Sequence, residues 1–111
     1  MKTSPMFFLT LAAMAGLSLG LSLPAQAAGS AEAARSKVSM CIGCHGIPLY
    51  HTAYPEVYHV PKIAGQSPDY IVKALKAYKD GGRSHPSMTG IALGLTDSDI
   101  ADLAAYYGKA K

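Results

Sequence analysis

Apolar side chains recur every three or four residues along three stretches of the chain, which is the pattern of a helix with one buried face. The pattern predicts helices over residues 30–40, 68–80 and 97–107, and a shorter helical piece over residues 89–93. The apolar positions of the three long stretches are Ala34, Val38, Cys41 and Ile42; Ile71, Ala74, Leu75 and Tyr78; and Ile100, Leu103, Ala104 and Tyr107. No stretch alternates as a strand does, so we expect an all-α fold.

Residues that begin and end helices flank these stretches. Ser67 is expected to cap the second helix, and Gly81 to end it in the left-handed conformation that glycine adopts readily. Thr96 and Asp99 have the spacing of a capping box at the start of the third helix. Gly108 is expected to end that helix. The stretches between the helices, residues 46–66 and 81–88, contain proline and glycine without a sustained period and are predicted loops.

The first 27 residues have the pattern of a signal peptide. Lys2 precedes an uncharged apolar run over residues 6–23, and Ala25-Gln26-Ala27 has the small-x-small pattern of a cleavage site. We therefore expect cleavage after Ala27, leaving residues 28–111 as a periplasmic domain without stable membrane insertion. The alternative is an uncleaved anchor, since 18 apolar residues are just enough to span a bilayer. Glycine and serine within the run, and the cleavage site itself, disfavour the anchor.

The remaining domain would be small and only weakly charged. Cleavage would leave 84 residues with a net charge of +2, so we expect no nucleic-acid partner. A domain of this size buries a limited apolar core and usually needs a disulfide, a metal or a cofactor. Its only two cysteines, Cys41 and Cys44, are too close together to join distant parts of the chain. A bound cofactor is therefore expected.

The cysteines belong to the sequence Cys41-Ile42-Gly43-Cys44-His45, a C-x-x-C-H motif typical of covalent haem attachment. Two thiols at this spacing can reach the two vinyl groups on one porphyrin edge, and His45 can then offer a nitrogen to the iron. The motif predicts one haem c. A disulfide or a thioredoxin-like thiol pair is the alternative, but such pairs lie on a strand-containing scaffold. A zinc site would need a second pair of ligands at zinc spacing.

Met88 is the predicted ligand on the opposite face of the iron. Met40, the only other methionine outside the leader, adjoins Cys41 and cannot reach that face. Methionine and histidine together fill both axial positions and raise the reduction potential, which favours electron transfer over oxygen chemistry. Three loop histidines are the alternative ligands at this position, and His85 is the strongest alternative. We expect all three to be polar residues near the surface. They are His51, His59 and His85.

The chain resembles the class I c-type cytochromes, in particular the small bacterial periplasmic kind. Beside the C-x-x-C-H motif, the resemblance lies in Pro61-Lys62-Ile63-Ala64-Gly65-Gln66, in Met88, and in the sequence LTDSDIADLAAYY over residues 95–107. It implies a fold of three to four short helices wrapped around the haem, with the first and last helices crossing. It also implies that the Pro61 carbonyl accepts a hydrogen bond from His45, that Arg83 pairs with a haem propionate, and that Ala33 meets Tyr106.

The loop over residues 46–60 departs from the compact members of this family by its greater length. It carries Tyr50, Tyr54 and Tyr58 at helical spacing, although Pro55 argues against a continuous helix. We expect these tyrosines to cover the porphyrin edge; the alternative is that they form a docking surface for a redox partner.

The resemblance implies a non-catalytic electron carrier that exchanges single electrons with respiratory or dehydrogenase partners. Four lysines could steer it to an acidic partner: Lys62, Lys73, Lys76 and Lys79. Three alternatives remain: a gas-binding haem protein with a weak sixth ligand, a thiol–disulfide oxidoreductase that uses Cys41 and Cys44, and a small subunit of a larger dehydrogenase.

Overall fold

The computed structural model describes residues 28–54 and 57–110. The predicted signal peptide over residues 1–27 and Pro55 lie outside the described residues. Within the described residues, four helices, one 3₁₀ turn and a very short hairpin follow each other. These elements are the 3₁₀ turn Ala33–Ser36, α1 Ser39–His45, β1 His51–Thr52, β2 Tyr58–His59, α2 Pro68–Lys79, α3 Pro86–Leu93 and α4 Asp97–Lys109.

The all-α prediction is confirmed, and the second and last helices begin where the sequence predicts. Gly81, with φ +83°, follows the end of α2 in the left-handed region. At the start of α4, the Asp99 N–H donates to Thr96 Oγ1 at 3.1 Å and the Thr96 N–H donates to Asp99 Oδ2 at 2.9 Å, which completes the capping box. Gly108 does not end α4, which continues to Lys109.

One predicted side-chain cap and one predicted helix start are wrong. The Ser67 side chain does not cap α2; its backbone N–H instead donates to Gln66 Oε1 at 2.9 Å. The short piece predicted from Thr89 is α3, which begins three residues earlier at Pro86. Proline fits the first helical position because its missing N–H would have had no partner within the helix.

The predicted first helix is divided in two. The Ala34 carbonyl accepts from the N–H groups of both Lys37, at 2.8 Å, and Val38, at 3.1 Å, and the backbone tightens there into a 3₁₀ turn. Helix α1 then begins at Ser39 and runs through both cysteines to His45. Ala34 and Val38 still share a buried face. The division therefore preserves the apolar stripe and places the C-x-x-C-H motif on a helix.

The hairpin was not predicted from the sequence. His51 pairs with His59 and Thr52 with Tyr58 in an antiparallel register. A strand of two residues is too short to show an alternating pattern, so it gives no periodic signal in the sequence. Successive side chains of a strand point to opposite faces, so each cross-strand pair of this hairpin occupies its own face.

The core forms where the 3₁₀ turn and α2 pack against α4. Ile100, Leu103 and Ala104 of α4 are almost completely buried. The beginning of the described chain is held to the same helix: the Ser30 N–H donates to Asp102 Oδ1 at 2.6 Å, and Lys37 Nζ lies 3.2 Å from Asp99 Oδ1.

The contact of Ala33 with Tyr106 that the family resemblance implies remains a prediction, and Gly29 is a small residue that approaches α4 closely. A Cβ atom at Gly29 would lie 1.9 Å from the carbonyl oxygen of Ala101, so only glycine fits there without a shift. Ala33 is exposed, and its neighbour Ala34 is the residue that the core buries. Among the described residues, no helix has the length and apolar character needed to cross a bilayer.

Candidate functional site

A cavity of about 570 Å³ opens between α1, the hairpin and helices α2, α3 and α4. Its size falls within the range of small-molecule and cofactor sites. Many of the side chains that line it are apolar, and they include Val60, next to the hairpin, and Ile71, Leu75, Ile91 and Leu103 of the three later helices. Three residues of the C-x-x-C-H motif and Met88 line the same cavity.

His45, the last residue of α1, makes the hydrogen bond that the family resemblance implied. Its Nδ1 lies 2.6 Å from the carbonyl oxygen of Pro61. A carbonyl can only accept, so the Nδ1 carries the hydrogen and donates it. The other ring nitrogen, Nε2, then keeps its lone pair, which is the form in which imidazole binds a metal. The role of Pro61 toward a haem ligand remains a prediction.

The two cysteines lie one turn apart on α1, and both line the cavity. Cys44 is exposed, whereas Cys41 is half-buried against the core. Burial raises the pKa of the Cys41 thiol, and a hydrogen bond with Tyr107 partly offsets the rise. Burial likewise raises the pKa of Tyr107 far above its ordinary value. The motif therefore presents one thiol at the inner wall and one at the mouth of the cavity.

Met88 lies in the first turn of α3, on a different wall of the cavity from α1. It is partly buried. Met40 also lines the cavity, but it lies on α1 beside Cys41 and is 44 % exposed. Met88, unlike Met40, thus lies on a different helix from the C-x-x-C-H motif.

Arg83 lies at the rim of the cavity between two tyrosines of α2. Its Nη2 donates to the Tyr70 hydroxyl at 2.8 Å, and its guanidinium carbon lies 5.4 Å from the Tyr70 ring centre and 5.7 Å from that of Tyr78. The hydrogen bond to Tyr70 raises the pKa of Arg83 further, so this position is a fixed positive charge. Its role as a propionate partner remains a prediction.

The three loop histidines fall into two groups. His51 and His59 are exposed, as expected, and their rings stack with centres 4.5 Å apart. His85 differs from them in being only partly exposed: its ring lines the cavity, and both ring nitrogens are shielded from solvent without a hydrogen-bond partner among the described residues. The sequence could not show this, because the cover over His85 comes from Tyr58, 27 positions earlier in the chain.

The loop tyrosines Tyr54 and Tyr58 differ in their contact with the cavity. Tyr58 lines the cavity, and its ring lies edge-on to His85 with the ring centres 5.2 Å apart. Tyr54 is 88 % exposed and does not line the cavity. The expectation of a tyrosine covering the cavity fits Tyr58, and the alternative of an exposed docking residue fits Tyr54.

Two of the four candidate steering lysines are engaged within the fold. Lys79 Nζ donates to the carbonyl of Leu95 at 2.6 Å, and Lys76 Nζ lies 3.8 Å from an Asp97 oxygen. Lys62 and Lys73 are exposed.

The cavity fits a flat, mostly apolar cofactor that carries a metal and acidic groups. Its walls are largely apolar, and a thiol pair and an imidazole nitrogen lie on one side with a thioether sulfur on another helix. Two buried polar atoms, the ring nitrogens of His85, have no hydrogen-bond partner in the described part of the chain. Buried polar groups are normally paired, so these atoms indicate a missing polar partner inside the cavity.

The sequence model of the family "Cytochrome c" matches residues 30–110, which is nearly all of the described chain. The chain belongs to the cytochrome c family. Together with the spacing of Cys41 and Cys44, this membership shows a c-type cytochrome with one covalently attached haem c. Haem c also accounts for the properties of the cavity, because it combines an apolar ring, an iron and two carboxylates.

Several characterised cytochromes are similar to this cytochrome. Cytochrome c-554(548) of Halomonas halodenitrificans is 43 % identical over 83 residues, which are 72 % of this chain and 95 % of the relative. Cytochrome c4 of Pseudomonas aeruginosa is 41 % identical over 95 residues, 86 % of this chain but 45 % of the relative. The cytochrome subunit of sulfide dehydrogenase of Chlorobaculum tepidum is 37 % identical over 68 residues, 61 % of this chain and 57 % of the relative. This cytochrome spans about half the length of the cytochromes c4 that it matches.

Proposed function

We propose that this cytochrome carries single electrons between redox proteins in the periplasm. One observation carries the proposal: Cys41, Cys44 and His45 on α1 and Met88 on α3 line the same cavity. A bound haem supplies an iron that cycles between the ferric and ferrous states. The chain's own residues attach this cofactor, orient it and close off its axial positions.

In this proposal, Cys41 and Cys44 form the two thioethers. Each thiol adds across a vinyl double bond, so that sulfur bonds to one carbon and hydrogen to the other, and no oxidant is consumed. Helix α1 places the two sulfurs one turn apart, and His45 follows directly. The hydrogen bond from His45 Nδ1 to the Pro61 carbonyl orients the ring so that Nε2 is available to the iron.

In the proposal, Met88 would hold the iron through its thioether sulfur as the second protein ligand. A thioether sulfur raises the reduction potential relative to a second imidazole, and it leaves no open position for oxygen or carbon monoxide. This filled position separates an electron carrier from a gas-binding haem protein. Thioether bonds at Cys41 and Cys44 would likewise exclude a thiol–disulfide oxidoreductase.

Export to the periplasm is part of the proposal. The apolar run over residues 6–23 and the cleavage site at Ala25-Gln26-Ala27 support it. Mass spectrometry of the purified holoprotein tests this directly, and the expected mature chain begins at Ala28. A chain that retains its leader and is recovered from the membrane fraction would contradict it.

We propose a dehydrogenase as the partner class on the donor side. Two relatives bear names of this kind, the cytochrome subunit of sulfide dehydrogenase and the "Thiosulfate dehydrogenase electron acceptor" of Thiomonas intermedia. The surface beside the motif is suited to contact: Cys44, Met40 and Ile42 are exposed. Apolar residues with little charge among them are typical of the centre of a protein contact surface. Lys62 and Lys73 remain as the exposed charges that could guide its approach.

The absorption spectrum of the exported protein, oxidised and reduced, tests the proposal. Covalent haem with histidine and methionine ligands is expected to give a low-spin spectrum whose ferric form has a weak far-red band from the sulfur–iron bond. Haem that is extracted by acidified solvent would contradict thioether attachment. A ferric protein without the far-red band, whose ferrous form binds carbon monoxide, would contradict pure electron carriage.

A further inference from the structure

His85 is partly exposed, but its two ring nitrogens are buried polar atoms that the proposed electron transfer does not yet use. Its backbone is fixed, because Pro86 begins α3 directly after it and the Thr89 N–H donates to the His85 carbonyl at 2.8 Å. Its ring lines the cavity, with the Tyr58 ring edge-on against it. Neither ring nitrogen reaches solvent, and neither has a hydrogen-bond partner in the described part of the chain. An imidazole held in this way needs a polar partner within the cavity.

The neighbours of His85 indicate which part of a haem this partner belongs to. Arg83, Ser84 and His85 are consecutive and all line the cavity. Arg83 in turn contacts Tyr70 and Tyr78 on α2. These residues form a polar sector that carries one fixed positive charge. Cys41, by contrast, contacts Tyr107 of α4. The polar sector and the Cys41 thiol therefore contact different side chains of the cavity wall.

Haem has two kinds of polar group, the iron and the two propionate carboxylates. The proposed axial ligands, His45 and Met88, already satisfy the iron. The carboxylates are anions, and a carboxylate accepts hydrogen bonds and never donates them. A polar sector with a guanidinium and a buried imidazole N–H supplies the donors that such a group needs.

We propose that His85 donates a hydrogen bond from its ring to a haem propionate, beside Arg83. This rests on the proposed haem attachment and makes His85 a positioning residue for the cofactor. The bond satisfies a buried ring nitrogen and neutralises part of the carboxylate charge. A less neutralised carboxylate stabilises the ferric iron, so loss of the donor lowers the reduction potential.

The test compares the midpoint potentials of the holoprotein and three variants by spectroelectrochemistry. His85→Phe keeps a ring against Tyr58 but has no N–H, and His85→Asn keeps an N–H donor without the ring. His59→Asn is the control, because His59 is exposed on the hairpin and does not line the cavity. In His85→Phe, the ferric-to-ferrous ratio at a fixed applied potential is expected to rise about tenfold, equivalent to about 59 mV for one electron.

His85→Asn and His59→Asn are expected to stay within about twofold of the wild-type ratio. If His85→Phe does not accumulate as a holoprotein, His85→Leu serves as the second variant without a donor. An unchanged ratio in the variants without a donor would overturn the proposal, and so would an equal shift in His85→Asn. A spectrum that stays low-spin in Met88→Ala but not in Met88→Ala/His85→Phe would assign His85 to the iron instead. Failure of haem attachment itself would already appear in the wild-type spectrum, before any variant is compared.

Discussion

The Nδ1 of His45 lies 2.6 Å from the carbonyl oxygen of Pro61, and this hydrogen bond joins the end of α1 to the loop that precedes α2. The bond crosses 16 positions of sequence, and most of the intervening residues form the long loop with the hairpin. Proline has a fixed φ, so it holds its region of the backbone in place. The orientation of the proposed proximal ligand therefore depends on a rigid backbone position outside its own helix.

Replacing Pro61 by glycine is expected to raise the reduction potential. The carbonyl is retained, but the freer backbone weakens the hydrogen bond, and a weaker bond lowers the basicity of the imidazole and favours the ferrous state. Spectroelectrochemistry of the holoprotein measures the change. Pro48→Gly, at an exposed position of the same long loop, is the matched control and should leave the potential unchanged. A lower potential in Pro61→Gly would contradict the argument.

Met88→Ala should open the sixth position of the iron. The expected results are loss of the ferric far-red band, carbon monoxide binding by the reduced protein, and a lower reduction potential, since methionine ligation raises it. Met40→Ala is the control, because Met40 lines the same cavity from α1. Its spectrum should retain the band. A Met88→Ala protein that keeps the band would show that Met88 is not the ligand.

Much of this arrangement follows from the sequence, and the exceptions have identifiable physical causes. Helix α2 and the start of α4 were predictable because their apolar side chains recur at the helical period. In addition, Gly81 marks the end of α2, and Thr96 and Asp99 mark the start of α4. The division of the first helix into a 3₁₀ turn and α1 was not predictable. Both kinds of helix place Ala34 and Val38 on nearly the same face, so the apolar pattern does not distinguish them. The cover that Tyr58 gives to His85 depends on a hairpin with two-residue strands, which leaves no periodic signal.

Thr96→Ala should lower the free energy of unfolding of the holoprotein by about 1 kcal/mol. The substitution removes the hydroxyl that accepts the Asp99 N–H and also donates to Asp99 Oδ2 at 2.8 Å. Denaturant unfolding, followed at the haem absorption, gives the value. Ser98→Ala, at an exposed position of the same turn, is the control and is expected to change stability much less. Equal losses in both variants would argue against a specific role of the cap.

Asp99 is expected to make the free energy of unfolding decrease at acidic pH. Backbone and side-chain hydrogen bonds from Thr96, followed by the contact with Lys37, hold the pKa of Asp99 below its ordinary value of 3.8. A carboxyl with a lowered pKa stabilises the fold above its unfolded pKa, and this contribution is lost as the pH falls through the folded pKa. Wild type should therefore exceed Asp99→Asn in stability at pH 6, and the difference should shrink below about pH 4. Denaturant unfolding of both proteins between pH 2 and 6 measures it. A difference that does not vary with pH would contradict this assignment.

Tyr54 and Tyr58 of the long loop should respond differently to the same change. Tyr58→Ser removes a ring that lines the cavity and packs on His85, so the holoprotein should lose stability and show a changed haem environment. Tyr54→Ser alters a side chain that is 88 % exposed and should change the free energy of unfolding by less than about 0.5 kcal/mol. Thermal unfolding and absorption spectra compare the pair. A larger loss in Tyr54→Ser would reverse the roles given to these residues.

The contact of Gly29 and Ser30 with α4 has a consequence for the order of assembly. The hydrogen bond between Ser30 and Asp102 spans 72 positions, so this junction can form only once almost the entire domain has been synthesised. The attachment motif lies near the start of that span and is available long before. An emerging chain can therefore present its thiols while the cavity is still open, and docking of the last helix then encloses a cofactor that is already bound.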